Sequence, residues 1–368
     1  MGDSHSGFMA ASPQPSGGGC SSCQASAPGR WPSTCQGSPC GFCDEVAQGC
    51  PKTDEFLVPP RLPWYVVTDG AAIRRNPSRD VDFASLNGPA SIVLSTRDFN
   101  YDFRAAGHVL VGHTINECFQ IEGVYLGVTE AENVAAVRDT SNNLLGGRGN
   151  LFSPFGGFGA SPVTGLDFNN LAQIRYTSSL QGAELNVRRH VPMPPDRLTL
   201  SILFGVRYLD LPEDFQYLTQ SDVGVVNSIH VTTHNQMVGP QIGALMEFYV
   251  DNRWWINLEG KAAVMNNHAQ QSTAYRNVDN NGITHIYSGG EQGDHTAFAG
   301  DVELTCVYRW SPNITTRLGY RALMFQDVAL APNNFDTNIN ILTQGPAQLN
   351  HSTAVIYHGP HAGLEVAW

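Results

Sequence analysis

The chain has 368 residues, a formal net charge of -12 and only 15% charged residues. The negative charge disfavours a nucleic-acid partner, because phosphates would be repelled and no Lys/Arg cluster offsets that repulsion. A membrane-spanning helix is excluded as well, since the sequence contains no run of about 18 apolar residues.

Residues 1–62 differ in composition from the rest of the chain. They are rich in Ser, Gly, Pro and Cys and poor in large apolar residues, so they predict a disordered, largely irregular arm. The spacing of Cys20, Cys23, Cys40 and Cys43 fits a zinc ribbon. Export to an oxidising compartment would instead favour disulfides. Free cysteines in a disordered arm are the third alternative, and the sequence leaves all three open. No cofactor is predicted for the chain.

Residues 63–368 predict an all-β domain, because apolar and polar residues alternate with period two along successive segments. Between residues 99 and 112, for example, Phe103 and Val109 share one face while Asp102 and Arg104 share the other. In residues 171–190 the alternation changes parity near Gly182, which predicts a β-bulge. The ten predicted strands are 64–73, 99–112, 118–129, 171–190, 198–209, 228–249, 253–271, 296–310, 314–328 and 353–368.

The connections between these strands alternate in length. Those after even-numbered strands are short, whereas those after odd-numbered strands are long, at 74–98, 130–170, 210–227, 272–295 and 329–352. This rhythm is typical of a closed antiparallel up-and-down transmembrane β-barrel with short periplasmic turns, here with about 10 strands and a range of about 8–12. A soluble β-sandwich gives no reason for the alternation.

The final strand, residues 353–368, closes the predicted barrel against residues 64–73. Leu364, Val366 and Trp368 fall on its apolar face and Glu365 on the other. A terminal aromatic residue after alternating apolar residues is the pattern that the assembly machinery of outer-membrane barrels reads. The three apolar residues therefore predict an assembly signal in a lipid-facing strand. Trp254, Trp255, Tyr308 and Trp310 lie beside the short turns and predict an aromatic girdle at the periplasmic interface.

The polar faces predict the lining of the lumen. Ten strands close into a cylinder of roughly 10 Å backbone radius, which leaves only a few ångströms inside. Folding the chain about Pro312 sets Glu303 opposite Arg321. Two interpretations stay open, a salt-bridged polar core that fills the lumen and a continuous narrow channel. The predicted lumen residues are Asp102, Arg104, Glu122, Glu184, Arg188, Arg207, Glu247, Glu259, Lys261, Asp301, Glu303, Arg317, Arg321 and Glu365.

No catalytic residues are predicted. The domain lacks the Asp-x-His element of ten-stranded outer-membrane proteases and a Gly-x-Ser-x-Gly elbow, so we expect no enzyme. On a strand, His230 and His234 would lie about 13 Å apart, too far to share a metal ion. We expect hydrogen-bonding roles in the lumen for the scattered histidines, which are His108, His113, His230, His234, His268, His358 and His361.

Several runs in this domain resemble the β-barrel porins of planctomycete outer membranes. They recur in order along the chain and include WYVVTDGAAIRRN, HVLVGHTINECFQIEGVYLGV, LFGVRYLDLPEDF, WINLEGKAAVMNNHA and LGYRALMFQDVALAP. The resemblance implies a location in the bacterial outer membrane, contact with membrane lipid and transport as a porin. The first residues show neither a basic nor an apolar signal region, so no secretion signal is visible.

The predicted function is that of a narrow porin for the passive passage of small polar solutes or ions. The alternative is a non-conducting structural or adhesion barrel that anchors envelope components through its long outer loops or its Cys-rich arm. Association into homo-oligomers through the lipid-facing walls is a further expectation.

Overall fold

The computed structural model describes residues 62–76, 80–116, 118–139, 149–191, 197–221, 224–279, 281–345 and 347–368. The predicted arm, with Cys20, Cys23, Cys40 and Cys43, lies outside the described residues except for its last position. The strands are β1 Trp64–Arg75, β2 Asp82–Leu86, β3 Ile92–Ser95, β4 Arg104–Thr114, β5 Phe119–Arg138, β6 Leu151–Phe152, β7 Leu171–Val191, β8 Leu198–Gln220, β9 Val226–Tyr249, β10 Trp254–Val278, β11 Thr284–Ser311, β12 Ile314–Val328 and β13 Thr353–Ala367. Short helices are the 3-10 turns Thr96–Asp98, Pro154–Gly156 and Ala331–Asn334 and the α-helix α1, Ile339–Gln344.

Ten of the described strands close into an antiparallel barrel in the order β1-β13-β12-β11-β10-β9-β8-β7-β5-β4, which confirms the predicted fold class. Following directly paired residues once around the barrel from Trp64 leads to Ile356, whose carbonyl accepts the N–H of Asn76. The path therefore returns to β1 twelve residues further along. That stagger in ten strands corresponds to a tilt of about 40° and a backbone radius of about 10 Å.

The outer wall carries a belt of exposed apolar side chains at the end with the short turns, called here the short-turn end. Along β8 this belt runs from Leu198 to Tyr208, which at the barrel's tilt covers about 25 Å, the height of the apolar band of an outer-membrane barrel. Exposed aromatic residues lie at its edge near the short turns: Trp64, Trp254, Trp310 and Trp368. Trp255 was wrongly assigned to this girdle. Because neighbouring strand residues face opposite sides, it points inward, where it is 6% exposed.

The prediction of long loops at 210–227 and 272–295 was wrong. The strands β8, β9, β10 and β11 continue through these ranges and are joined by the short connections 221–225 and 279–283. Together with β5 and β7 they form a curved sheet that extends beyond the apolar belt, whereas β12 and β13 end at Val328 and begin at Thr353. We call this extension the outer wall sheet, and the end of the barrel that carries it the long-loop end.

The predicted bulge near Gly182 was also wrong. Even-numbered residues of β7 point inward throughout, from Ile174 to His190, and the register shift lies instead in β5 between Val128 and Ala131. What changes along β7 is the chemistry of the inward face, which is apolar at Ile174 and ionic at Arg188. The alternation of apolar and polar residues therefore changes parity along β7, although the backbone of the strand is regular.

Loops fill the mouth of the barrel at the long-loop end. A small sheet in the order β3-β2-β6 packs there, with Phe83 of β2 against Phe215, Tyr217 and Phe335 at ring-centroid distances of 4.9, 5.7 and 5.0 Å. These side chains belong to a buried aromatic and aliphatic cluster, and Phe83 and Phe215 are fully buried. None of the helices in the described segments has the length and apolar character needed to cross a membrane.

Candidate functional site

An ionic network occupies the lumen on the short-turn side, where the strands bring their polar faces together. Arg188 of β7 donates from Nε and Nη2 to the two carboxylate oxygens of Glu122, at 2.7 and 3.0 Å. Nη2 also donates to Glu259, at 2.8 Å, and the Tyr65 hydroxyl donates to Glu122, also at 2.8 Å. A single arginine therefore joins carboxylates from two other strands.

Glu303 of β11 is the centre of a second group of contacts. It pairs with Arg321, as folding about Pro312 predicted, and the two residues lie directly opposite each other. Arg317 contributes a contact at 3.0 Å and His361 another at 3.4 Å. Hydrogen bonds and ion pairs thus surround a carboxylate whose side chain is 4% exposed, which is what makes its burial tolerable.

Glu184 and Asp301 connect the remaining cations. Glu184 pairs with Arg207 and lies 3.2 Å from Nζ of Lys261. Asp301 lies 3.3 Å from Arg207 and 3.8 Å from Arg321, so it links this group to the contacts of Glu303. The network therefore continues across the lumen instead of forming separate pairs.

Opposite charges nearly balance in this network. Its carboxylates are Asp69, Glu122, Glu184, Glu259, Asp301 and Glu303, and its permanent cations are Arg188, Arg207, Lys261, Arg317 and Arg321. Asp69 was missed by the sequence reasoning, and it lies 2.9 Å from Nδ1 of His108. Thr68, Gly70 and Ala71 beside Asp69 are all small, so the sequence does not show which face of the strand points inward.

Of the other four predicted lumen residues, two border this network and two lie at the far end of the barrel. Glu247 and Glu365 line a cavity of about 160 Å³ between the network and the short-turn end. Arg104 lies at the other end of the barrel, where it donates to the carbonyl of Glu132 at 2.8 Å. Asp102 is exposed and precedes β4, because this strand begins at Arg104 and not at residue 99 as predicted.

The histidines divide between the two faces of the wall. His108 and His361 are buried in the lumen, as expected. His230 pairs instead with Asp214 on the outer face, and His234 lies 2.6 Å from Asp210 there. Their predicted position in the lumen was wrong, because even-numbered residues of β9 face outward in this part of the strand.

An apolar layer crosses the lumen next to the ionic network. Its side chains are buried, and every one of the ten barrel strands contributes at least one of them. The layer comprises Ile73, Ala106, Leu126, Val128, Leu180, Leu209, Leu211, Met237, Ala263, Met265, Ala297, Ala299, Leu323, Phe325, Val328, Leu330, Val355 and Tyr357. In a barrel of about 10 Å radius, such side chains meet across the axis.

The chain after β12 enters the barrel and completes this layer. Residues 328–331 are fully buried. The side chain of Asn235 holds them as a peptide would, since its Nδ2 donates to the carbonyl of Ala329 at 2.7 Å and its Oδ1 accepts the N–H of Ala329 at 2.8 Å. Glu213 accepts the N–H of Ala331 at 2.9 Å and pairs with Arg75 at 2.8 Å. We call residues 328–335 the plug segment.

Replacing Asn235 with alanine is expected to loosen the plug segment. The change leaves both backbone groups of Ala329 without their partner in a buried site, which costs about 2–4 kcal/mol for the two groups. Limited proteolysis should then cut residues 329–352 faster than in the wild type. Asn100→Ala, which changes an exposed asparagine outside this range, is the control, and equal cleavage rates in both variants would contradict the assignment.

The geometry defines a class of protein, a closed β-barrel with a lipid-facing belt and a filled lumen. The family model described as Putative beta barrel porin-7 (BBP7) matches residues 75–368, and the chain belongs to this family. Family and fold together assign it to the bacterial outer membrane and its lipid bilayer. The planctomycete source stays a prediction.

Solved structures give only distant similarities. The outer membrane protease OmpT from Escherichia coli is 10% identical, with 86% of this chain and 99% of that chain covered and a TM-score of 0.48. The toluene transporter TodX from Pseudomonas putida is 8% identical, with 84% and 90% covered and a TM-score of 0.30. A FadL homologue from Pseudomonas aeruginosa is 7% identical, with 83% and 90% covered and a TM-score of 0.24. These similarities carry no argument about function, and no curated protein sequence matches the chain.

Proposed function

We propose that this barrel is closed to solutes in its resting state and serves as a structural platform that presents its outer loops at the cell surface. The observation that carries the proposal is the apolar layer to which all ten barrel strands contribute. An ion entering such a layer loses its hydration without gaining ligands, and a narrow apolar constriction also excludes water.

The order of the mouth supports the platform role. The sheet β3-β2-β6 and the plug segment share one buried cluster with the inner faces of β7 and β8, for example through Phe83, Phe215 and Phe335. Loops that are fixed in this way present a defined surface to envelope components outside the cell. A gate that opened often would instead have to break this packing each time.

Single-channel recording in planar bilayers tests the closed state. We expect purified, folded barrel to give no discrete conductance steps. Folding is checked beforehand by heat-modifiable migration on a gel. Regular steps from wild-type protein would overturn the proposal.

A narrow porin for small polar solutes or ions is the second candidate, and one observation favours it. The lumen contains a polar cavity of about 160 Å³ near the short-turn end, enough for several water molecules. In this case the plug segment would have to leave its site on Asn235 and Glu213. Conductance steps that appear in Asn235→Ala but not in Asn338→Ala would select this candidate.

We further propose that the barrel has no catalytic activity. The carboxylates inside it are neutralised by neighbouring cations, as with Glu122 beside Arg188 and Glu184 beside Lys261. A carboxylate held in an ion pair is poorly placed to accept a proton from a substrate.

The last strand is proposed to carry the signal for the barrel assembly machinery. Leu364, Val366 and Trp368 are exposed on the lipid-facing wall, and Trp368 exchanges two backbone hydrogen bonds with Trp64, at 3.0 and 2.9 Å. We expect deletion of Trp368 to lower the amount of folded barrel in outer membranes severalfold. Trp310→Ala, which removes an aromatic residue near the same interface but not from the last strand, is the control. Equal amounts of folded protein for both variants would contradict the signal.

Homo-oligomers through the lipid-facing walls stay a prediction, tested by crosslinking in membranes.

A further inference from the structure

A pocket of about 250 Å³ lies in the mouth of the barrel, between the plug segment with α1 and the inner faces of β10 and β11. Gln271 and Thr273 of β10 form one side of it. Asp336 and Thr337, just after the plug segment, and Asn350, just before β13, contribute to the other side. We call it the mouth pocket. It is separate from the ionic network of the lumen.

The frame of the mouth pocket is fixed by hydrogen bonds. Asn334 donates to the carbonyls of Leu330 and Asn350, both at 2.9 Å, and accepts the N–H of Asn350 at 2.7 Å. The N–H of Leu349 donates to Glu291 of β11 at 2.7 Å. The chain is therefore anchored at Asn334 and at Leu349 and Asn350, on the two sides of the mouth pocket. A ligand would not have to order these residues on binding.

The lining is uncharged apart from Asp336 and is rich in hydrogen-bonding groups. Amide and hydroxyl side chains come from Gln271, Thr273, Thr337 and Asn350, whereas no lysine or arginine is among the described residues that line the pocket. The carboxylate of Asp336 accepts the N–H of Asn338 at 2.7 Å and would repel an anion. Phe335, Ile341 and Leu342 add an apolar side.

Gln271, which lines the mouth pocket, has an unsatisfied hydrogen-bond acceptor. Its side-chain amide donates to the hydroxyl of Thr273 at 2.5 Å, while its carbonyl oxygen Oε1 is buried and has no hydrogen-bond partner among the described residues. The residue is 4% exposed. Buried carbonyl oxygens in folded proteins nearly always accept a hydrogen bond, so a hydroxyl donor bound in the pocket would complete the hydrogen bonding of Gln271.

We propose that the mouth pocket binds a neutral saccharide unit. A sugar offers hydroxyl donors and acceptors for Gln271, Thr337 and Asn350 and a C–H face for the apolar side. The volume corresponds to about eight water molecules at roughly 30 Å³ each, which is close to the size of one hexose. Phosphates and carboxylates find no cation in the lining. This goes beyond the proposed function and holds whether or not the lumen conducts.

Saturation-transfer NMR on the full-length barrel tests this binding. The protein is kept in lauryldimethylamine oxide, a detergent without sugar, and probed with glucose, maltose, glucuronate and glucose 6-phosphate. We expect transfer to glucose or maltose and at least tenfold weaker binding of the two anions. Competition by dextran shows whether the natural ligand is a surface polysaccharide or a free sugar. If dextran displaces glucose, the ligand is a polysaccharide. If dextran does not displace glucose, the ligand is a free sugar.

Variants locate the site. Thr337→Trp fills the mouth pocket from an exposed position and should abolish transfer, whereas Asn340→Trp, exposed on α1 outside the lining, should leave it unchanged. Gln271→Leu removes the unpartnered oxygen and should weaken binding about tenfold. Absence of transfer to both neutral sugars, preference for an anion, or wild-type binding by a folded Thr337→Trp variant would each overturn the proposal. None of these results would change the conductance expected of the wild type.

Discussion

Replacement of Arg321 by methionine is expected to lower the free energy of unfolding by about 3 kcal/mol, because two buried carboxylates, Glu303 and Asp301, each lose one of their cations. Arg321 pairs with Glu303 and lies 3.8 Å from Asp301, and its side chain is 8% exposed. Methionine keeps much of the apolar volume of the arginine stem, so the loss reports on charge more than on packing. The measurement is urea unfolding of the detergent-folded barrel, followed by heat-modifiable migration.

Two comparisons separate the network from a general effect of losing an arginine. Arg97 pairs with Asp82 on the surface with a side chain that is 59% exposed, so Arg97→Met should cost less than about 1 kcal/mol. The double variant Glu303→Gln with Arg321→Met should lower the free energy of unfolding by less than the sum of the two single variants. The reason is that Glu303→Gln removes the buried negative charge from which Arg321→Met takes a cation. Equal midpoints for Arg321→Met and Arg97→Met would contradict the network.

The second large effect is expected in conductance. Changing Phe325 and Leu330 to serine places two hydroxyl groups in the apolar layer and removes two side chains that are fully buried there. Water can then enter from the polar cavity below, and the apolar barrier to ions falls. We expect discrete conductance steps in planar bilayers, where the wild type should give none.

The control for this variant changes two apolar residues outside the lumen. Leu218→Ser with Ile286→Ser alters outward positions of the outer wall sheet, Ile286 being 72% exposed, and should remain silent. Serine in the layer also costs several kcal/mol of stability, so only samples that keep heat-modifiable migration are recorded. A folded variant without steps would show that another part of the lumen is closed as well.

The strands beside the short turns could be predicted closely, because lipid outside and ions inside give a regular alternation there. The ends of β8 and β10 could not. At Tyr208 the outward face turns from apolar to polar as the strand leaves the lipid, while Leu209 and Leu211 make the inward face apolar. Apolar and polar residues still alternate with period two, but the apolar residues now face inward and the polar residues outward. In the sequence alone, this exchange looks like a loop or a β-bulge.

The same exchange of apolar and polar faces explains which lumen residues could not be predicted from the sequence. Glu303 and Arg321 follow from one tight turn, so a local register sufficed to pair them. Glu213 and Arg75 lie 138 positions apart in the chain, and Glu213 falls in a range that had been assigned to a loop. The plug segment has no periodicity at all, and only its contacts with Asn235 and Glu213 define its place.

The rim of the barrel is of unequal height, and with the long-loop end on the outside, as the loop pattern predicts, this height would decide which strands an approaching particle meets first. Beyond the apolar belt, β8 continues from Tyr208 to Gln220, which at the same tilt is about 30 Å. Among the described residues, the ends of β8 and β9 at Gln220 and Val226 and those of β10 and β11 at Val278 and Thr284 therefore extend far beyond the belt, and antibodies or phages would meet them before they meet the mouth. The described strands β1, β4, β12 and β13 are shorter, so the rim that they form is lower.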